Sequence, residues 1–529
     1  MNRRRHILPL AALCITLASC DTAPPPDVEA TADTGDTTVT LLFTNDIESV
    51  YDPLPAHWLP DIEMIGGIAE LATLIKTLRA QEPNAFLFDS GDIFTGSLAK
   101  LTQGRLAFEL MTTMDYDAMA IGNHEFEYGV EILAWEKNRV AFPVLGANMF
   151  YAGTDHPFSQ AHAIIERDGI RIGVIGIMGQ DAATAIIPSY IAPLDVHDPA
   201  PWVQKSVDEL RDDVDLIVLL THQGKTAPMQ TDAETDPRLQ RDIDAEINLA
   251  GAVEGIDVLF SAHADAGTPE AVVHPETGTL IMQTYGQATH LGYLQLTLRD
   301  GEVVAHDSRL IPVESNKLEP DLGVVAKLTE YRSQHPDLFA QVGAVDGPLI
   351  RRYIEESDMG NVFADIFVAK SGADIAMVHS GGLRKDINAG DVRLVDILDA
   401  YPFVDDLQVK EMTGEQIHRA LEQSLTFERG IMQLSGLQVT YDLARPKYSR
   451  VVSVTRDGNP VADDDRFTVV AAGFLAEGGD NYDVFAEVEL LSSHGQAADA
   501  LIEYFAENDI VVVPERGRQI DLSDGSVGL

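Results

Sequence analysis

Residues 118–126 read AMAIGNHEF. The first four are apolar and have the length of a short buried strand, and the rest begin a polar loop that carries Asn, His and Glu. Helical spacing follows several such runs, as in residues 68–78. This alternation predicts an α/β fold, in which ligands gather at the carboxyl ends of strands. The other apolar runs of this form are residues 39–43, 85–88, 172–177, 216–220 and 258–260.

The loops after these runs hold residue types that bind metal ions. Taken singly each is weak, since an Asp-x-Glu after a strand is most often a turn and a lone His in a loop is more often solvated. Loops at the ends of successive parallel strands can converge, and their carboxylate, Asn and His donors suit two divalent ions about 3.5 to 4 Å apart. The five loops are TNDIE at 44–48, DSGD at 89–92, GNHE at 122–125, THQG at 221–224 and SAHAD at 261–265.

The later chain predicts a second domain. Strand patterns follow one another over residues 280–310 without a helix between them, so we expect a first domain at 38–313. A helical pattern then predicts a connector at 314–345, and a second mixed α/β domain follows at 346–529, which makes the whole chain α+β. Its expected elements are helices at 361–370 and 413–424 and strands at 375–378, near Gln438 and near Thr468.

The N-terminus resembles a bacterial lipoprotein signal. Three arginines at 3–5 precede an apolar stretch at 7–17, and small residues then precede Cys20. We expect a signal peptide at 1–19, a lipid on Cys20 and a flexible tether at 20–37, with the protein exported and anchored on the periplasmic side or at the cell surface. A membrane-spanning anchor is disfavoured because the apolar stretch is shorter than the roughly 20 residues that a span needs.

The charge narrows the possible partners. A formal net charge of −47 argues against nucleic acid or anionic lipid surfaces as partners through bulk electrostatics. An anionic substrate would therefore need a local positive centre, such as metal ions. The sequence leaves the oligomeric state open.

Two sets of motifs carry a family resemblance. The five loops resemble the calcineurin-like metallophosphatase signature, of which GNHEF at 122–126 is the most specific part. The second set resembles the C-terminal domain of the 5'-nucleotidase family, the group of periplasmic UDP-sugar hydrolases and vertebrate ecto-5'-nucleotidase. The resemblance implies a four-layer αββα metallophosphatase domain followed by a substrate-binding domain. The second set comprises SGGLR at 380–384, YPF at 401–403, LSGL at 434–437 and FLAEGGD at 474–480.

The resemblance implies roles for the metal end by position. It implies a catalytic His124 that Glu127 orients, and attack on phosphorus by a water that two divalent ions activate. Glu127 stands where the family has an Asp, and is one methylene longer. The implied metal ligands are a bridging Asp92, then Asn123, His222 and His263 for one ion, and Asp46, Glu48 and Asp265 for the other.

The second metal site departs from the family pattern. Glu48 and Asp265 replace His and a final His or Gln, so this site would be all carboxylate. Hard oxygen ligands suit Mn²⁺, Mg²⁺, Ca²⁺ or iron better than Zn²⁺, whereas the site with two histidines suits a transition metal. We therefore expect a mixed centre drawn from Mn, Zn, Ca, Mg and Fe.

The resemblance also implies the substrate contacts. Phe403 and Phe474 match the aromatic pair that stacks a nucleobase, Arg384 matches a substrate-contacting arginine, and Asp480 matches the carboxylate that holds the ribose hydroxyls.

Two departures bear on nucleotide specificity. His379 replaces the usual Asn, and Tyr353 stands where relatives have an arginine, with Arg351 and Arg352 as candidate replacements.

The resulting prediction is an exported, dinuclear-metal phosphohydrolase that releases phosphate from nucleotides. Alternatives with the same metal centre are a cyclic-nucleotide phosphodiesterase, a UDP-sugar hydrolase and a thiosulfohydrolase. A non-catalytic nucleotide-binding lipoprotein is the alternative from another class. Retention of Asp92, Asn123 and His124 speaks against it, while the replacement of D-x-H by the sequence DIE at 46–48 favours it.

Overall fold

The first domain is built on two six-stranded sheets. The computed structural model describes residues 36–56, 58–82, 84–225 and 242–523, so the predicted signal, lipid site and most of the tether lie outside the described residues. In the first sheet the strands with site loops run parallel at its centre. Its strands, in spatial order, are Glu302–Pro312, His290–Arg299, Thr37–Thr44, Ala85–Asp89, Ala118–Ala120 and Val144–Leu145.

The second sheet packs face to face on the first. Alternate residues of both sheets fill the space between them, and the rings of Phe43 and Phe260 stack there with centroids 4.0 Å apart. The four central strands run parallel, so their carboxyl ends share one edge. In spatial order the strands are Val272–Val273, Leu280–Gln283, Val258–His263, Leu216–Gln223, Ile170–Met178 and His162–Arg167.

Helices cover the outer face of each sheet and complete four αββα layers, as the sequence predicts. Four helices pack on the side of the first sheet through their apolar residues: Ile68–Gln81, Arg105–Thr113, Val130–Lys137 and Leu322–Gln334. Pro199–Leu210 and Asp244–Ala252 pack on the second. Among the described residues, no helix has both the length and the apolar character needed to cross a membrane. The remaining elements of this part are helices Ser97–Thr102, Gln180–Ala183 and Pro188–Ile191 and the paired strands Leu54–Pro55 with Met64–Ile65 and Met149–Tyr151 with Leu194–Val196.

The second domain is a smaller mixed α/β unit. Helices Asp358–Ser371 and Ala497–Glu507 pack against one another beside its central sheet. That sheet has the order Met432–Ser435, Ile375–His379, Arg466–Ala472, Asp406–Thr413 and Leu490–Gln496. A four-stranded sheet has the order Asn459–Pro460, Val451–Arg456, Gln438–Tyr441 and Gln519–Asp521. The other helices are Leu394–Ala400, Gly414–Ser424, Gly473–Ala476 and Asp483–Ala486.

The predicted strands and helices of both domains are confirmed to within a few residues. The helical pattern of the connector forms Leu322–Gln334, which packs on the first domain through Val324 and Leu328. The strand Gln341–Val345, also within the predicted connector, pairs with Gly390–Arg393 of the second domain. The connector is therefore shared between the two domains.

Candidate active site at the domain interface

The metal-ligand loops meet in a cleft between the two domains. Their residues lie at the carboxyl ends of parallel strands from both sheets of the first domain, and the second domain supplies the opposite wall. Left-handed backbone is concentrated there, with φ of 49° at Asp46, 48° at Glu48, 60° at Asp92, 74° at His263 and 50° at Asp265. Such conformations are costly for residues with a side chain and are common at functional sites.

Two glycines allow these loops to approach closely. A Cβ on Gly122 would lie 2.2 Å from Oδ1 of Asp92, and a Cβ on Gly91 would lie 2.6 Å from the amide nitrogen of Gly122. No real side chain tolerates such contacts. The glycines that precede Asp92 and Asn123 are therefore part of the site's geometry.

Glu125 holds two of the loops together, a role that the sequence analysis did not assign. Its fully buried carboxylate accepts hydrogen bonds from the backbone N–H groups of Asp92 at 3.0 Å, Ile93 at 2.8 Å and Gly122 at 2.6 Å. Burial, together with the nearby Asp92 carboxylate, raises the pKa of Glu125. The only sequence signal for this role was its place in the GNHE motif.

Asp92, His222 and His263 form a buried group whose ligand atoms all lie within 4.8 Å of one another. His222 Nε2 lies 3.0 Å from Asp92 Oδ2 and 3.0 Å from Asn123 Oδ1, while its Nδ1 is 2.9 Å from the Ser90 carbonyl oxygen. Donation from Nδ1 leaves Nε2 as the ligand atom, the usual arrangement for a metal-binding histidine. Within the described part of the chain, the buried Nε2 of His263 has no hydrogen-bond partner. These donors fit a transition-metal ion.

The carboxylate side of the cleft also fits a cation. Asp46 accepts hydrogen bonds from Nδ2 of Asn45 at 2.7 Å and from the backbone N–H of His263 at 3.0 Å. Burial, and then the carboxylates of Asp265 and Asp92, raise the pKa of Asp46 well above its usual range. Clustered buried carboxylates of this kind are stabilised by a multivalent cation.

Glu48 faces both the catalytic candidate and the second domain. Its Oε1 lies 3.6 Å from Nε2 of His124 and makes an ion pair with Nη2 of Arg384. Arg384 is predicted to contact substrate, so its guanidinium lies at the metal end of the cleft. The second domain thus contributes a positive charge directly beside the carboxylates.

His124 and Glu127 are adjacent, as their predicted roles require. Nδ1 of His124 lies 2.6 Å from Oε1 of Glu127, and the Thr95 hydroxyl donates to the same oxygen at 2.6 Å. Burial alone would lower the pKa of His124, but the carboxylates of Asp92 and Glu127 raise it to about 9. Nε2 of the imidazole is directed toward the cleft carboxylates. Thr95 is a further site residue that the sequence analysis missed.

Aromatic and polar side chains of the second domain line the other end of the cleft. The ring of Phe403 has its centroid 6.2 Å from that of His124, and the ring of Phe474 is 5.7 Å from that of His379. His379 Nε2 lies 3.1 Å from Asp480 Oδ2. This end therefore combines π surfaces with a buried carboxylate, and it directly adjoins the metal end.

The arginines of the second domain are distributed differently from the sequence expectation. Arg351 and Tyr353 line the cleft, whereas Arg352 is outside its lining. Arg429, which the sequence analysis did not single out, also lines the cleft, with its Nε 3.4 Å from Asp480 Oδ1. No short motif surrounds Arg429, so only its position in the fold reveals it.

Comparison with known proteins gives the same two-part organisation. Residues 35–264 match the calcineurin-like phosphoesterase family and residues 341–487 match the 5'-nucleotidase C-terminal domain. The chain therefore combines a calcineurin-like metallophosphatase domain with a 5'-nucleotidase C-terminal domain. A 5'-nucleotidase from Vibrio cholerae is 28% identical to it over 89% of this chain and 90% of the relative's own length.

Two further relatives extend the comparison. A trifunctional nucleotide phosphoesterase from Bacillus subtilis is 28% identical over 87% of this chain, which spans only 33% of that longer protein. The crystal structure of a 5'-nucleotidase precursor from Thermus thermophilus superposes with a TM-score of 0.79 at 26% identity, covering 92% of this chain and 99% of that one. The protein is a metal-dependent phosphoester hydrolase.

Proposed function

We propose that this protein hydrolyses nucleotides to release phosphate. The phosphate would bind at the metal end of the cleft and the nucleoside at the aromatic end. One observation carries the proposal: Phe403 lies beside His124, so a base stacked on the aromatic ring would have its 5'-phosphate near the metal ligands. Base stacking on aromatic rings accepts any nucleobase, so we expect modest base selectivity.

The metal end would bind two divalent cations, which supply positive charge to the phosphoryl oxygens and acidify the attacking water. Asp92 would bridge both cations, since a carboxylate between them lowers their repulsion. Asn123, His222 and His263 would hold one cation, and Asp46, Glu48 and Asp265 the other.

His124 would donate a proton or hydrogen bond at Nε2 to the phosphoryl group or the leaving oxygen. Glu127 would keep the proton on Nδ1, because its oxygen lies 2.6 Å from that atom. The longer side chain of Glu127 reaches His124 at normal hydrogen-bond length, so the replacement of Asp is compatible with the orienting role. Arg384 would contact the phosphate, and Asp480 the ribose hydroxyls.

Phosphate release from the purified soluble protein tests the proposal. The substrates are nucleoside mono-, di- and triphosphates, cyclic nucleotides, UDP-glucose and p-nitrophenyl phosphate, each with a panel of divalent metals. We expect nucleotides to be the best substrates. Turnover confined to cyclic nucleotides or UDP-glucose would assign the corresponding alternative activity, and binding without turnover would assign the non-catalytic function.

We also propose that the two cations differ. Asp46, Glu48, Asp92 and Asp265 make one site all carboxylate, whereas His222 and His263 give the other nitrogen donors. The double variant Glu48→His with Asp265→Gln should shift metal preference toward Zn²⁺ or Co²⁺, and either single change should do less. Metal analysis decides: two zinc ions per chain in the wild type, unchanged in the double variant, would refute a mixed centre.

We also propose that residues 1–19 are a signal peptide, that Cys20 carries a lipid and that the protein is exported, which the N-terminal sequence supports. The domain bounds 38–313 and 346–529, with residues 314–345 between them, stay predictions. Expression with a labelled fatty acid tests the anchor. Cys20→Ser should lose the label and partition into the soluble fraction, and Cys14→Ser should keep both properties.

A further inference from the structure

One segment of the first domain reaches across the cleft, and we call residues 180–191 the bridging segment. It is tied to the loop of the metal-ligand candidate His222. The N–H of Gly179, just before the segment, donates to the His222 carbonyl at 2.7 Å, and the N–H of Gly224 donates to Oδ2 of Asp181 at 2.7 Å. The base of the bridging segment therefore moves with the metal end of the cleft.

The far part of the same segment binds the second domain. The backbone N–H of Asp480 donates to the Thr184 carbonyl at 2.8 Å, and the Tyr190 hydroxyl donates to the Val404 carbonyl at 2.8 Å. The N–H of Ser189 donates to Oε2 of Glu477 at 3.1 Å. Both Val404 and Glu477 are close in sequence to the nucleobase candidates Phe403 and Phe474.

Arg429 joins these two sets of contacts. Its Nη2 donates to the Thr184 hydroxyl at 3.3 Å and to the Asp181 carbonyl at 3.4 Å, and its Nε lies 3.4 Å from Oδ1 of Asp480. Only 15% of the Arg429 side chain is exposed, so protein groups rather than water surround its charge. A planar guanidinium can contact two groups in fixed relative positions, which a lysine ammonium cannot do.

Asp480 depends on its neighbours for its orientation. Its backbone is left-handed, with φ of 53°, and its side chain lies between His379 at 3.1 Å and Arg429 at 3.4 Å. Oδ2 faces His379 and Oδ1 faces Arg429. Contacts on both sides therefore set the direction of the carboxyl plane. A carboxylate that recognises hydroxyl groups needs this kind of fixed direction.

We propose that Arg429 is a positioning residue that directs Asp480 toward the ribose hydroxyls while the bridging segment is docked on it. The nucleoside end then recognises ribose only in the arrangement that also brings the phosphate to the metal loops. This inference rests on the proposed nucleotide hydrolysis and names the part of the substrate that these contacts recognise, the 2' and 3' hydroxyls.

The test compares AMP with 2',3'-dideoxy-AMP, which lacks both hydroxyls, by kcat/KM, KM and kcat. In Arg429→Gln we expect kcat/KM for AMP to fall about ten- to a hundredfold, mainly through KM, because the buried ion pair between Arg429 and Asp480 is lost. The value for the dideoxy analogue should fall much less. Arg429→Lys keeps the positive charge but lacks the planar guanidinium, so it should recover only part of the preference for AMP over the dideoxy analogue. Thr184→Val should reduce the preference in the same direction, and Thr184→Ser should restore it.

Arg419→Gln is the matched control, since Arg419 pairs with Glu487 at 2.8 Å on the surface. It should leave the AMP preference unchanged. An equal loss on both substrates in Arg429→Gln and Thr184→Val, or a wild type without preference for AMP, overturns the role of Arg429. A wild type that hydrolyses p-nitrophenyl phosphate but no nucleotide refutes the proposed function instead. Thermal unfolding identifies a misfolded Arg429 variant, and the two Thr184 variants then decide.

Discussion

The two ends of the cleft are held in different ways. At the metal end, backbone groups fix the side chains: His124 N–H donates to Asp92 Oδ1 at 2.7 Å, and His263 N–H donates to Asp46. At the nucleoside end, side chains hold one another: Arg429 lies 3.4 Å from Asp480 within the second domain and donates to the Thr184 hydroxyl of the first domain. A site held by its own loops can be recognised from short motifs, whereas a site held by distant side chains can be recognised only in the folded protein.

The largest expected effect is at the metal end. We expect Asn123→Ala and His124→Ala to reduce kcat by about 10²- to 10³-fold or more, because each removes a group that stabilises charge in the transition state. Phosphate release from AMP and from p-nitrophenyl phosphate should fall together, and circular dichroism should stay unchanged. Wild-type turnover in both variants would show that Asn123 and His124 do not form the catalytic site.

Changes at the nucleoside end should affect AMP and p-nitrophenyl phosphate to different extents. Phe403→Ala and Phe474→Ala should each weaken AMP binding by roughly 1 to 3 kcal/mol, since each removes one stacking surface. Hydrolysis of p-nitrophenyl phosphate should suffer far less, because it has no nucleobase. Equal losses on both substrates would identify the two rings as parts of the core and not of a nucleobase site.

A third prediction compares two buried glutamates of the first domain. Glu125 accepts backbone hydrogen bonds, whereas within the described residues neither carboxylate oxygen of the fully buried Glu246 has a hydrogen-bond partner. Burial raises the pKa of Glu246 to about 8. Because an acid with a raised folded pKa is costly to ionise, its destabilising effect is absent below the unfolded pKa and grows as pH rises to the folded pKa.

Glu246→Gln should therefore become more stable relative to the wild type as pH rises from 5 to 9. The change in the difference in unfolding free energy should be of the order of a few kcal/mol. Denaturant unfolding at several pH values measures it. The exposed Glu254→Gln is the control and should show no such trend. A pH-independent difference for Glu246→Gln would mean that this carboxyl is ionised without cost.

The smallest expected effect comes from the net charge of the whole molecule. A net charge of −47 repels nucleotides at long range. The Debye length falls from about 30 Å at 0.01 M salt to about 8 Å at 0.15 M. If association limits turnover, kcat/KM for AMP should rise about two- to fivefold over this range. A steep fall would instead show that the positive charges of Arg351, Arg352 and Arg384 dominate the approach.

The sequence pattern predicted the α/β layout and the loops of the metal end because strand pattern and ligand motif are local, whereas the four layers were implied by the family resemblance. Asp92 and Asn123 directly follow the glycines that the close approach of their loops requires. The role of Glu125 in holding two loops together was missed because its partners at 92 and 93 belong to another loop. The predicted Arg352 lies outside the cleft lining while Arg351 lies in it, since the direction of a side chain outside regular structure depends on the backbone path.

The amino-acid order by itself determined the two domains, the buried strands and the residue types that surround the metal ligands, because periodicity and short motifs are encoded by neighbours in the chain. Only the tertiary structure decided which arginines face the cleft and that Arg429 meets Thr184, a residue 245 positions away. Contacts between residues so far apart depend on how the two domains pack, and no local pattern specifies that packing.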